Sequence, residues 1–146
     1  MILSANSGSS SLKLSLYDVV SRDGPTINLI LTATISSIPF PPAIFSAKHL
    51  ASSSSQPKNE QVESIKDHLS AFAHFLTYLK HDAAIDPSQI SHICHRIVHG
   101  GDFSDPILIS EETYHHLEIL SDLAPLYAVV KIDLTFSLNV INGIQA

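Results

Sequence analysis

The run ILSANSGSSSLKLSLYD, residues 2–18, decides how this chain is read. Ile2 and Leu3 open an apolar step, residues 6–11 are a turn of Asn, Gly and Ser, and Leu12, Leu14 and Leu16 then alternate with Lys13, Ser15 and Tyr17. A period of two puts the leucines on one side and the polar residues on the other, which predicts strand, tight turn, half-buried strand. The turn gathers hydroxyls and backbone N–H groups of the kind a phosphate oxygen or a hydrated Mg²⁺ needs, and Lys13 adds a positive charge just beyond it. It is not a P-loop, because Leu12 rather than glycine precedes Lys13 and a strand rather than a helix follows. The same residues also suit an ordinary hairpin turn.

Beyond this hairpin, Thr26 to Ile38 is rich in Ile, Leu and Thr and predicts a third strand of an antiparallel meander, stopped by Pro39, Pro41 and Pro42. The Ser/Pro-rich stretch at about 40–61, with its serine run Ser52 to Ser55, predicts a flexible surface loop. Between Gln61 and His81 the apolar residues Val62, Ile65, Leu69, Phe72, Leu76 and Leu79 recur at steps of three and four, the stripe of an amphipathic helix facing the core. Ile90 to Val98 returns to a strand pattern that runs into Gly100-Gly101. Ser110-Glu111-Glu112 predicts an N-cap and an acidic first turn, starting a helix that reaches about Leu120 before Pro125. A meander followed by helix and strand units is a mixed α/β fold.

Composition narrows the function. At 146 residues, 45% hydrophobic, the chain can bury a core of its own. Fourteen acidic against eight basic residues give a net charge of −6, which argues against nucleic acid as a partner and leaves no polybasic surface for a membrane. An anionic ligand would therefore be held by a few placed groups against the overall field. The single cysteine, Cys94, rules out an intramolecular disulfide. With no secretory or membrane-spanning pattern, the expected location is the cytoplasm.

The second chemical cluster is HRIVHGGD, residues 95–102. On a strand, His95 and His99 stand about 13 Å apart, too far to chelate one ion. Alternation groups Arg96 with Cys94 and Val98, opposite His95, so one face would present a guanidinium beside a small apolar surface, suited to a small carboxylate with a short alkyl tail. A structural salt bridge is the plainer role for Arg96. Cys94 is expected to be a small buried apolar residue rather than a nucleophile.

Taken together, the two segments resemble the acetate kinase family. Residues 2–18 are similar to its N-x-G-S-S-S-x-K signature, residues 95–102 to its second signature, and LEILSDLAPL, residues 117–126, to the segment that follows. The resemblance covers residues 1–126 and implies a partial ribonuclease-H-like lobe of the sugar-kinase, Hsp70 and actin superfamily, with the second lobe absent. It implies reversible transfer of the ATP γ-phosphoryl group to acetate, giving acetyl phosphate and ADP with Mg²⁺, in a family of homodimers. Residue by residue, Asn6 would take the magnesium role, Ser9, Ser11 and Lys13 would hold the nucleotide phosphates, and Arg96, Val98 and Leu126 would bind acetate.

The departures carry equal weight. After Leu126 the family has His-Asn where this chain has Tyr127-Ala, and residues 127–146 form a divergent tail whose apolar residues alternate from Val130 to Val140. No residue here matches the family's catalytic Asp, His and Arg. Two lobes of ordinary domain size need roughly 300 residues. The expectation is thus half a kinase site with no turnover alone, the alternative being a non-catalytic anion-binding or interaction protein of the same fold. Acetate and propionate stay equally open, because one methylene in an apolar pocket is worth only about 1 to 3 kcal/mol.

Overall fold

The protein is described by a computed structural model covering residues 1–21, 25–50, 58–96 and 105–115. Its first half is a meander of five antiparallel strands: β1 (Ile2–Ser7), β2 (Ser11–Ser21), β3 (Pro25–Ser36), β4 (Ala43–His49) and β5 (Lys58–Val62). Helix α1 (His68–His81) and a short 3₁₀ turn (Pro87–Gln89) then lead to β6 (His92–His95), which pairs parallel to β1. The sheet order is β5-β4-β3-β2-β1-β6.

The alternation read in residues 2–18 builds one side of this sheet. Leu3 and Ala5 of β1, Leu12, Leu14 and Leu16 of β2, Leu31, Ala33 and Ile35 of β3, and Phe45 and Ala47 of β4 are all buried. Against them lie Ala71, Phe72, Phe75, Tyr78 and Leu79 of α1. The Phe45 ring meets Tyr78 at 5.1 Å and His74 edge-on at 4.8 Å. Burying side chains the size of Phe75 and Leu79 contributes roughly 1.5 to 3 kcal/mol each, so the α1 seam is a principal source of stability.

The expected helix over Gln61 to His81 is shorter at its start. Val62 ends β5, Ile65 enters the core from the connecting segment, and α1 begins only after Asp67. Asp67 caps it: its carboxylate accepts from the Ser70 N–H at 2.7 Å, and the Ser70 hydroxyl accepts from the Asp67 N–H at 3.1 Å, a reciprocal capping box. The Ser70 hydroxyl also donates to the Asp67 carboxylate at 2.6 Å, and this bond, ahead of the one from the Ser70 N–H, holds the Asp67 carboxyl below the usual carboxylate range. The buried stripe is also turned from the predicted one. His68, Ala71, Phe72, Phe75, Tyr78 and Leu79 face inward, Leu76 is half-buried and Leu69 is exposed.

The stretch expected as a loop at about 40–61 carries β4 and β5, and the serine run between them lies outside the described residues. β5 has a polar sequence and is held by its backbone ladder and a charged corner. Lys58 Nζ lies 2.8 Å from Asp82 and 3.4 Å from Glu60, whose other oxygen is 2.9 Å from His74 Nε2. The hydrogen bond to Asp82, ahead of the Glu60 charge, raises the Lys58 pKa. β6 is shorter than the predicted 90–98 strand, although the Arg96 N–H still donates to the Ala5 carbonyl at 3.1 Å and prolongs the ladder by one step. Ser110 caps a helical turn over 111–115, its hydroxyl accepting from the Thr113 N–H at 3.3 Å. The expected continuation to Leu120 lies outside the described residues.

Candidate functional site

While the leucine side of β1 and β2 is sealed, the opposite side is polar and open. Ser4 and Asn6 of β1, Ser11, Lys13 and Ser15 of β2, Thr32 and Thr34 of β3, and Ser46 of β4 lie on it, half-buried apart from the exposed Lys13. Asn6 and Lys13 are direct cross-strand partners, so their side chains leave the sheet side by side. Parallel pairing sets Ala5 beside His95, and the Arg96 bond to Ala5 brings Arg96 level with Asn6 on the far side of β1. Asn6 and Arg96 thus stand where two adjacent parallel strands both end, the edge at which open α/β sheets bind ligands.

The turn between β1 and β2 sits at the same end. Ser9 and Ser10 form its exposed tip. The Gly8 N–H donates to the Ser11 carbonyl at 2.7 Å, and the Ile38 N–H donates to the Ser10 carbonyl at 3.2 Å. The N–H groups of Ser9 and Ser10 have no acceptor among the described residues. A Cβ on Gly8 would come within 3.0 Å of the Ser11 hydroxyl, so a side chain at position 8 would make that hydroxyl give way. From the helix side, His68 Nε2 reaches the Gly8 carbonyl at 2.8 Å.

Charge marks this end of the sheet as well. Neither Lys13 nor Arg96 has a carboxylate within ion-pair distance among the described residues, whereas Lys58 at the far edge has two. A structural salt bridge for Arg96 is therefore not seen there. Two cations with no carboxylate partner among the described residues thus stand beside an amide and serine hydroxyls, in a chain of net charge −6.

His95 and Cys94 show how alternation works at β6. His95 faces the core side and is mostly buried, and that burial pushes its pKa down to about 4, so the ring is neutral near pH 7. Cys94 is exposed, correcting the expectation of a buried thiol. It pairs with Ser4 on the open side, and β6 carries no further strand among the described residues to cover it. Cys94 and Arg96 do share a face opposite His95, as the alternation predicted. Val98, Leu126 and His99 lie outside the described residues, so the structure brings together Asn6, Ser9, Ser11, Lys13 and Arg96 of the predicted set. His68 was missed by the sequence reading. Its only signal was a histidine in register with the apolar stripe of α1, a position that usually means core.

A six-stranded mixed sheet with a serine-rich turn at the end of its first strand, backed on one side by the helix α1 among the described residues, is a partial ribonuclease-H-like lobe. The sequence model of the acetokinase family matches residues 1–140, and the chain belongs to that family. The match runs past Leu126, into the stretch whose motifs gave no resemblance. An Emericella nidulans protein named "Probable acetate kinase" is 44% identical over 132 residues, covering 86% of this chain and 29% of that protein. Acetate kinase of Bacillus subtilis is 34% identical over 128 residues, covering 86% and 30%. Among solved structures, a Porphyromonas gingivalis acetate kinase matches with a TM-score of 0.70 at 25% identity, over 90% of this chain and 33% of that one. A propionate kinase from Francisella tularensis shares the fold with a TM-score of 0.76 at 22% identity, over 97% and 34%. The chain spans about 30% of the length of the curated relatives it matches.

Proposed function

We propose that this chain supplies the phosphate-gripping and carboxylate-gripping part of an ATP:acetate phosphotransferase site. The observation that carries the reading is the convergence of Asn6, Lys13 and Arg96 on the open face, at the strand ends and beside the serine turn, with both cations unpaired among the described residues. In this reading the Ser9 and Ser10 N–H groups and the Ser9 and Ser11 hydroxyls donate to phosphate oxygens. Lys13 neutralises their charge, and Arg96 pairs with the carboxylate of acetate or a close homologue, beside Val98 and Leu126.

The donor set fits Mg²⁺ only in a particular way. Among the described residues no group of three His, Cys, Asp or Glu side chains could cage a metal, and the open face offers the Asn6 amide oxygen and serine hydroxyls. Mg²⁺ keeps several waters and takes one or two protein oxygens alongside substrate phosphates, so Asn6 would steady an ion carried in on the nucleotide. When bound, the ion neutralises charge on the phosphates.

Phosphoryl transfer is achieved by positioning and by neutralising charge on the transferring group from several sides. The residues assembled here grip from one side. The 146-residue chain is therefore expected to bind Mg·ATP and acetate without measurable turnover. Titration followed by amide shifts at Ser9, Ser10 and Ser11, with a hydroxamate assay for acetyl phosphate on the same sample, tests this. The absence of any shift with Mg·ATP, or shifts unchanged by Lys13→Ala, would remove the binding half. Acetate-dependent turnover abolished by Arg96→Ala would remove the claim of inactivity.

A further inference from the structure

We infer that His68 is a positioning residue that sets the serine turn in its ligand-ready shape, by holding the Gly8 carbonyl on the helix side. This rests on the reading of that turn as a phosphate grip. His68 lies outside both sequence motifs and 60 residues from Gly8, yet its ring nitrogen and the Gly8 oxygen are 2.8 Å apart. A carbonyl can only accept, so Nε2 carries the hydrogen and donates it. The donor is itself fixed. His68 is 6% exposed, the one polar or charged residue buried as a whole among the described residues, and it opens α1 within the Asp67–Ser70 capping box.

The bond matters because of what the turn must do. A peptide unit in a two-residue turn can present either its N–H or its C=O outward, and an outward carbonyl repels phosphate. Here two of the turn's three carbonyls are held back, Gly8 by His68 and Ser10 by the Ile38 N–H at 3.2 Å, which fixes the Gly8–Ser9 and Ser10–Ser11 peptide planes. The Ser9 N–H, opposite the Gly8 carbonyl on the same peptide plane, is thereby turned away from the helix as a donor for an anion. Losing the imidazole would leave the Gly8 carbonyl without its donor and free the Gly8–Ser9 peptide plane to rotate toward water. His68 touches neither phosphate nor acetate in this arrangement and acts through Gly8.

The test uses the full chain with four sequences: the parent, His68→Ala, His68→Gln and His68→Phe. Glutamine places an amide N–H₂ about where Nε2 stands and can donate, whereas phenylalanine fills the space and cannot. Without ligand, hydrogen exchange at the Gly8 and Ile38 amides is expected to quicken about tenfold in the Ala and Phe variants and to stay near the parent rate in Gln, with the amides of α1 unchanged. With Mg·ATP as probe, the dissociation constant is expected to weaken about tenfold in Ala and Phe and to recover in Gln. Equal turn exchange in the Gln and Phe variants overturns the inference whatever the ligand does, and so does equal affinity. If the parent fails to bind Mg·ATP while turn exchange still depends on His68, the phosphate reading falls and the carbonyl latch stands. Should the Ala variant not fold, the Gln and Phe pair decides alone.

Discussion

The two faces of the β1–β2 ribbon are made from the same seventeen residues and could hardly differ more. On one, Leu3, Ala5, Leu12, Leu14 and Leu16 are each at most 1% exposed under the cover of α1. On the other, Asn6 and Lys13 stand in the open, joined by Arg96 from β6. A period of two separates them, so a slip of one residue in pairing would put Lys13 into the core and a leucine into the site. The difference teaches that core and site are specified by a single pattern, and that stability and binding should separate by face when either is perturbed.

The largest expected effect comes from the covered face. Phe75→Ala removes a fully buried ring packed against Phe72 and should cost about 3 to 5 kcal/mol, a large part of the stability of a domain this size. Urea unfolding measures it, and a loss under 1 kcal/mol would mean that α1 is not the cover described here. The second effect comes from His95 on the same side. Burial keeps its ring neutral in the folded protein down to about pH 4, while the unfolded chain takes up the proton near 6.5. Between those values the unfolded chain binds more protons, so stability falls as pH drops from about 6.5 to about 4 and this contribution levels off below. The full effect is at most about 3 kcal/mol. A His95→Gln variant should show a shallower pH dependence of unfolding than the parent, and identical slopes would contradict the buried neutral ring.

The open face should behave in reverse. Lys13→Ala is expected to weaken Mg·ATP binding at least tenfold, about 1.4 kcal/mol, while shifting the unfolding free energy by less than about 0.5 kcal/mol. A variant that loses stability but keeps affinity would collapse the distinction between the faces. The smallest effect is at Ser7, on the covered side at the last position of β1, where the hydroxyl is buried without a hydrogen-bond partner among the described residues. Ser7→Ala should leave stability unchanged or raise it by up to about 1 kcal/mol, since it removes an unpaid desolvation. A clear loss would point to a bound partner for that oxygen.

What the sequence disclosed follows the strength of its periodicity. Residues 2–18 alternate cleanly, and the strand–turn–strand reading and its buried side follow from that, although Asn6, Ser7 and Ser11, read as turn, belong to β1 and β2 and only the structure pairs Asn6 with Lys13. β4 was hidden because its inward positions include the small residues Ala43 and Ala47 and it follows three prolines. β5 was hidden because KNEQV carries almost no apolar signal and is held by backbone pairing and the Lys58 corner. Alternation also says nothing about which strand is a neighbour. That β6 runs parallel to β1 at a sheet edge, which exposes Cys94 and brings Arg96 to Asn6, is a fact of topology. His68 was invisible for a related reason, since its partner is a backbone carbonyl sixty residues away.

The parallel pairing of β1 with β6 also sets an order of assembly. The meander closes through neighbours in sequence, with β1 on β2 and β2 on β3, so the serine turn and Lys13 can be in place early. Arg96 reaches Ala5 only by closing a loop of some ninety residues, the kind of non-local contact that is formed late and slowly. On a chain emerging from the ribosome, the serine turn and Lys13, the proposed phosphate grip, would be shaped before Arg96, the proposed carboxylate grip, is in place. Until β6 docks, the free edge of β1 is a row of unpaired backbone groups open to any other strand, and this is the interval in which the nascent lobe is most exposed to mispairing.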